Sequence, residues 1–238
     1  MLIQETHPRF RSSALIHVER AYDFDESRGL WMYRQEEDDE VAHNLVLSGG
    51  IDQLFIQGYA TTGLATNGFN YIALSNSAGT SLSGTFNVSN GSANVTASTS
   101  QTGSLYPGAT ILFTSDTSDT VYTVLSVSGT AIVLTGNYTG TSYGATAATA
   151  VSYSDTTLSG ELTTNGLGRT QGTYAHTTGT TTATISHTFT YTGGSSQAVQ
   201  LTALFNASSA GAMNNEILFT QRTLYTNDTL AVTYTITI

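Results

Sequence analysis

Cysteine and lysine are both absent from the 238 residues, and proline occurs only at Pro8 and Pro107. Without cysteine there is no disulfide framework, no thiolate metal site and no sulfur nucleophile. With no lysine, seven arginines face 17 acidic residues and the formal charge is −10. Phosphate backbones need a clustered cationic face, so a nucleic-acid surface is excluded. No run approaches the ~18 consecutive apolar residues of a membrane-crossing helix, and no membrane partner is expected. The start, Met1 to Phe10, lacks a basic stretch followed by an apolar one, so no secretory signal is expected there.

What is present is unevenly spread. Eleven of the 17 acidic residues lie between Glu5 and Asp52. Beyond them the chain is Thr, Ser, Gly, Ala and Asn interleaved with single apolar residues. Such a composition escapes disorder only if the apolar residues line one face of strands. The length suits one large β domain or two small ones, with a core sufficient to stand without staples.

Residues 1–13 have no clear period and read as an arm that needs a partner surface. Ala14–Asp23 reads as a strand, Asp25–Gly29 as a turn and Leu30–Arg34 as a returning strand, together a hairpin. Glu36-Glu-Asp-Asp-Glu40 reads as a loop, because adjacent like charges repel. Ser48–Tyr59 is the one good helix candidate: Ser48 can cap it, and Ile51, Leu54, Phe55 and Gly58 share a face.

Six short strands are expected at Thr85–Val88, Ala93–Ala97, Thr110–Thr114, Val121–Val127, Ala131–Thr135 and Ala147–Tyr153. Their turns carry Asn90-Gly91, Pro107-Gly108 and Ser128-Gly129. This even spacing suggests a small barrel or sandwich over residues 84–153, inserted into a discontinuous host of 14–83 plus 154–238. The flanks Tyr71–Leu74 and Leu158–Thr164 read as host strands.

The C-terminal third alternates most clearly. Ala183, Ile185, His187, Phe189 and Tyr191 point one way, as do Val199, Leu201, Ala203 and Phe205. The last strand places Leu230, Val232, Tyr234, Ile236 and Ile238 inward. Period-two alternation indicates antiparallel sheets with one wet face. The expected fold class is all-β: an antiparallel β-sandwich with one short helix and an inserted small β-module.

Several segments resemble virion proteins of tailed bacteriophages. They are Glu161-Leu-Thr-Thr-Asn-Gly-Leu-Gly-Arg169, Thr173-Tyr-Ala-His-Thr-Thr-Gly179, Ala203-Leu-Phe-Asn-Ala-Ser-Ser-Ala-Gly-Ala-Met213 and the closing Asn227-Asp-Thr-Leu-Ala-Val-Thr-Tyr-Thr-Ile-Thr-Ile238. The N-terminal hairpin, His43–Val46, Gly49–Phe55 and Tyr71–Leu74 extend the likeness, which covers most of the chain from Ala14 onward. Asn227-Asp228 stands where that group often has Gly-Asp, and Asn tolerates the same left-handed turn. Residues 84–153 look like a small β-module common in phage structural proteins, on Asn90-Gly91, Leu105–Gly108, Ile111–Phe113 and Tyr122–Val124. The resemblance implies an accessory virion protein docking on capsid, neck or tail subunits, homo-oligomeric and assembled in the host cytoplasm.

Reactive motifs give little beside it. Gly140-Thr-Ser-Tyr-Gly144 matches G-x-S-x-G, but strands lie on both sides where a nucleophile elbow needs a following helix, so a turn is expected. Asp23, Asp25 and Ser27 alternate like the start of a calcium loop, yet Arg28 occupies the glycine position and no closing acid follows. The five histidines show no ligand spacing. Only Asp116 and Asp119 are neighbours among the later carboxylates, too little for glycoside hydrolysis. No enzyme, cofactor or metal is expected. Phe10, Arg11, Trp31 and Tyr33 are candidate assembly contacts, being aromatic or guanidinium groups on a polar head. A receptor- or glycan-binding module of a tail fibre is the other reading, with Tyr106, Tyr122, Tyr138 and Tyr143 as its loop aromatics.

Overall fold

The computed structural model describes residues 11–25, 30–35, 40–43, 45–46, 68–152, 154–176 and 182–237, of which those before 68, with 176, 182 and 237, are described as backbone only. Every regular element among them is a strand, and every strand pairing is antiparallel. The expected helix over Ser48–Tyr59 lies outside the described residues.

The N-terminal strands are β1 (Arg11–Asp25), β2 (Leu30–Gln35), β3 (Glu40–His43) and β4 (Leu45–Val46). The hairpin expected from sequence forms between β1 and β2, with an irregularity between Ala21 and Asp23. Two boundaries move. Arg11–Ser13, read as arm, are the first residues of β1 and pair with Thr237, Ile236 and Thr235. Glu40, read as loop, opens β3 and pairs with Ile16; the rest of the acidic run lies outside the described residues.

Next come β5 (Tyr71–Ser75) and a set of short strands: β6 (Thr80–Ser81), β7 (Phe86–Val88), β8 (Asn94–Ala97), β9 (Thr110–Phe113), β10 (Val121–Ser128), β11 (Ala131–Leu134), β12 (Tyr143–Thr146) and β13 (Ala148–Ala150). The chain closes with β14 (Thr170–Gln171), β15 (Thr173–His176), β16 (Thr182–Thr190), β17 (Gln197–Phe205), β18 (Met213–Leu224) and β19 (Thr229–Thr237). Three sheets result. One has six strands, ordered β15-β16-β19-β1-β2 with β3 also on β1. One has five, ordered β14-β5-β17-β18-β4, and β12-β7-β8-β11-β10-β9-β13-β6 make the eight-stranded third.

The eight-stranded sheet is open: its end strands β12 and β6 do not pair, so it is not the closed barrel that sequence spacing allowed. It nevertheless curls. Phe86 on β7 and Phe113 on β9 are four ladder steps apart, roughly 19 Å in a flat sheet. Their ring centroids are 6.0 Å apart. The two halves therefore fold over a shared core of Phe86, Val88, Val95, Ile111, Phe113, Val124, Ile132 and Leu134.

The five-stranded sheet is covered on both faces. Ile72, Leu74, Leu204, Ile217 and Phe219 meet Ile185, Phe189, Leu230, Val232 and Tyr234 of the six-stranded sheet. On the other face, Ala73, Leu201, Ala203, Phe205, Met213 and Leu218 meet Leu112 and Val121 of the eight-stranded sheet, with Val151 and Leu158 from the connector. A strand buried on both sides cannot alternate polar with apolar, which is why Met213–Phe219 is buried without a break.

Two sequence expectations change here. Val199 shares a cluster with Ile72 and Phe219, whereas Leu201, Ala203 and Phe205 belong to the opposite one. The pairing with β18 is irregular between Val199 and Leu201, two residues on β17 spanning the four from Arg222 to Leu218. Such an irregularity breaks the period-two rule. Leu158–Thr164 forms no strand but a single bridge from Glu161 to Ser75, supported by Leu162 N–H donating to Leu74 O at 2.8 Å.

Candidate functional site

The segments singled out in the sequence converge on turns. Arg169 precedes β14 and Glu161 sits at the bridge to β5. The guanidinium donates through Nε to Glu161 Oε1 at 2.8 Å and through Nη2 to Oε2 at 2.7 Å. Its Nη1 donates to Ala210 O at 2.6 Å and Ala207 O at 3.3 Å. The guanidinium carbon lies 3.4 Å from the Phe205 ring centroid. One side chain thus ties the 161–169 segment to the 206–212 turn by a two-pronged pair, carbonyl bonds and ring stacking. Inside that turn Asn206 Oδ1 accepts from Ala212 N at 2.8 Å, and Ala210 and Gly211 take φ of 50° and 78°.

The closing segment is fixed in the same way. Asn227 adopts the left-handed φ of 70° that the sequence requires there. Asp228 is buried and accepts from Tyr225 N at 2.8 Å, while Tyr191 N donates to Asp228 O at 2.9 Å. Asp228 is a structural cap between β18 and β19.

In the eight-stranded sheet, Phe113, Tyr122 and Tyr138 pack as an aromatic group with centroids 5.2–5.8 Å apart. Tyr122 donates to Asp116 Oδ2 at 2.8 Å, and Ser118 donates through its amide and hydroxyl to Oδ1 at 3.0 and 2.5 Å. Burial alone would raise the Asp116 carboxyl, but these hydrogen bonds outweigh it and hold the group below its usual range. The sheet interior therefore claims two of the four tyrosines proposed for saccharide stacking. Tyr122 and Tyr138 are buried, Tyr106 donates to Gly103 O at 3.1 Å, and Tyr143 is exposed. No surface cluster forms from them. Ser142 of the G-x-S-x-G match accepts a hydrogen bond from Asn90 N at 2.9 Å, in a loop that runs into β12.

One pair of groups is chemically unusual, and sequence reasoning missed it. Glu216 on β18 is 3% exposed, and its Oε2 has no hydrogen-bond partner. It lies within hydrogen-bond reach of Asp155, in the connector leaving β13. Asp155 accepts from Ser152 N at 3.0 Å and from Thr80 Oγ1 on β6 at 3.3 Å. Burial, then the charge and hydrogen bond of Asp155, push the Glu216 carboxyl up to about 8. The two residues are far apart in sequence, and the one local signal is the polar triplet Asn214-Asn215-Glu216 set between Met213 and the apolar Ile217–Phe219.

The remaining candidates are dispersed. Arg11 stands opposite Thr237, Trp31 opposite Phe24 and Tyr33 opposite Ala21 in the six-stranded sheet, while Phe10 lies outside the described residues. Asp23 and Asp25 are on extended backbone, paired with Met32 and Leu30, unlike a coiled calcium loop; Ser27 lies outside the described residues. His187 is half-buried, edge-on to Phe189 at 4.6 Å, and burial holds it below the usual imidazole range. Among the described residues no three histidine, aspartate or glutamate side chains converge as a metal site, and no helix is long and apolar enough to cross a membrane. No family model, curated protein or solved structure matches the chain, so the likeness to phage virion proteins rests on the sequence segments themselves.

Proposed function

We propose that this chain is a non-enzymatic accessory structural protein of a tailed-phage particle. The six- and five-stranded sheets form a β-sandwich body that docks on capsid, neck or tail subunits. The curled eight-stranded sheet is a module inserted into that body and carried outward from it. Its partners are other virion proteins and further copies of itself, since fittings on a symmetric particle occupy symmetric sites.

One observation carries this reading: the segments resembling virion proteins are those whose polar groups are engaged in holding turns. Glu161, Arg169, Asn206, Asn227 and Asp228 all serve backbone geometry. That is the chemistry of a part selected for shape and rigidity. The aromatic and arginine residues of the head, Phe10, Arg11, Trp31 and Tyr33, supply the docking contacts.

Deleting residues 1–10 leaves β1 whole, whereas deletion to residue 13 would remove three of its ladder pairs with β19. The shorter deletion is expected to keep the native β-type circular dichroism and lose incorporation into particles. Normal incorporation of the truncated chain would overturn the docking role of the arm.

A further inference from the structure

Four places in the described structure invite a second role: the aromatic group around Tyr138, the Arg169 clamp, the exposed Tyr174 on edge strand β15, and the Glu216–Asp155 pair. The rings of the first are closed into the module's core, and the second is committed to turns. Nothing indicates what would cover Tyr174. The fourth is different, because it joins the module to the body and is chemically incomplete without a proton.

Two ionised carboxylates are both acceptors and cannot hydrogen-bond to each other. Glu216 comes from β18 of the five-stranded sheet, next to its edge strand β4, and Asp155 from the connector by which the chain leaves the eight-stranded one. Asp155 also reaches Thr80, on the strand by which the chain arrives there, and β6 pairs with β13 as Thr80 with Ala150 and Ser81 with Thr149. Both crossings between module and body therefore meet at this carboxyl. Among the described residues no cation acts on Glu216, whose ladder partner on β4 is Leu45. Ala203 stands directly opposite Glu216 on β17. Around it on this face lie Ala73, Leu112, Val121, Val151 and Leu158, with the half-buried Tyr71 of β5 and Ala78 packed against them. Arg169 is committed to Glu161, and Tyr234 on β19 is neutral, its hydroxyl raised by burial and, to a smaller degree, by Glu216.

We propose that Glu216 and Asp155 share one proton as a clasp between the inserted module and the sandwich body, and that losing this proton loosens the junction. The proposal does not depend on the phage reading. The sign follows from linkage. Glu216 titrates near 4.5 when exposed and about 8 when folded, so the folded state holds the extra proton between those values. The clasp is complete at acid pH, and its contribution is lost as pH rises through about 8. Above that point the buried Glu216 charge faces the negative charge of the part-exposed Asp155.

The test uses the full chain. Hydrogen exchange at Ser152–Asp155 and Gly79–Ser81, corrected for intrinsic rates, is compared at about pH 6 and about pH 9, and is expected to accelerate at least ~10-fold as the junction opens. Glu216→Gln keeps a neutral donor facing Asp155 and should remove most of that acceleration. Equal pH responses in wild type and variant would overturn the proposal. Carboxyl carbon NMR of glutamate-labelled wild type gives a reading that needs no variant. A buried resonance titrating near pH 8 supports the clasp, and eight glutamates all titrating near 4.5 contradict it. Millimolar calcium or magnesium is added at about pH 9 as a control. If either ion restores wild-type protection but leaves the variant unchanged, the pair is a cation site and the proton clasp is wrong.

Discussion

Arg169 and Asn227 show how single side chains set this architecture. Arg169 is nearly buried, and its removal would strand Glu161, free two carbonyls of the 206–212 turn and uncover the Phe205 ring. Arg169→Ala is therefore expected to cost about 3–5 kcal/mol in urea unfolding, as for other broken buried pairs. Arg169→Lys should recover less than half of this, because an ammonium cannot make the two-pronged bond. Asn227→Gly should change stability by less than about 0.5 kcal/mol, whereas Asn227→Val should cost ~1–2 kcal/mol, since a β-branched side chain resists a φ of 70°. Gly166 is harder still to replace: it has a φ of 78°, and a Cβ there would run into Thr190 O. Tyr138 separates packing from polarity. Its ring is fully buried, yet its hydroxyl, near Ser115, makes no well-formed hydrogen bond. Tyr138→Phe should stay within about 1 kcal/mol of wild type, while Tyr138→Ala should cost about 3–5 kcal/mol by thermal or chemical unfolding.

At the scale of elements, legibility in the sequence follows alternation. In β19, Leu230, Val232 and Tyr234 point inward as their spacing predicts, because the strand has one core face. The strands β7 to β11 and β13 were readable for the same reason, each bounded by a glycine or Asx turn. β6 and β12 were not: Thr80-Ser81 and Tyr143–Thr146 carry almost no apolar signal and form by pairing with neighbours already in place. β17 misled because its pairing irregularity moves Val199 to a different cluster from Leu201, which composition does not encode. The candidate site was legible only in part. The turn segments could be picked out by their Gly, Asn and Asp residues, but the Glu216–Asp155 contact arises from the stacking of three sheets. The four tyrosines failed as a surface group because alternation in β10, and the loop after β11, turn Tyr122 and Tyr138 inward. A saccharide array probed with this protein should accordingly show no signal that depends on Tyr138 beyond what unfolding explains.

For the whole molecule, the layered arrangement makes the five-stranded sheet a rigid centre between two others. Its strands β17 and β18 carry the longest buried runs, so their amides should exchange slowest, and the edges β12 and β14 fastest. The role proposed for the chain is that of a component of a phage particle. Quantitative mass spectrometry of gradient-purified particles from cells producing this chain tests it most directly. The intact chain is expected to co-purify at a fixed copy number that is a multiple of the symmetry of its attachment site. Absence from the particles, with the protein recovered as free monomer, would contradict it.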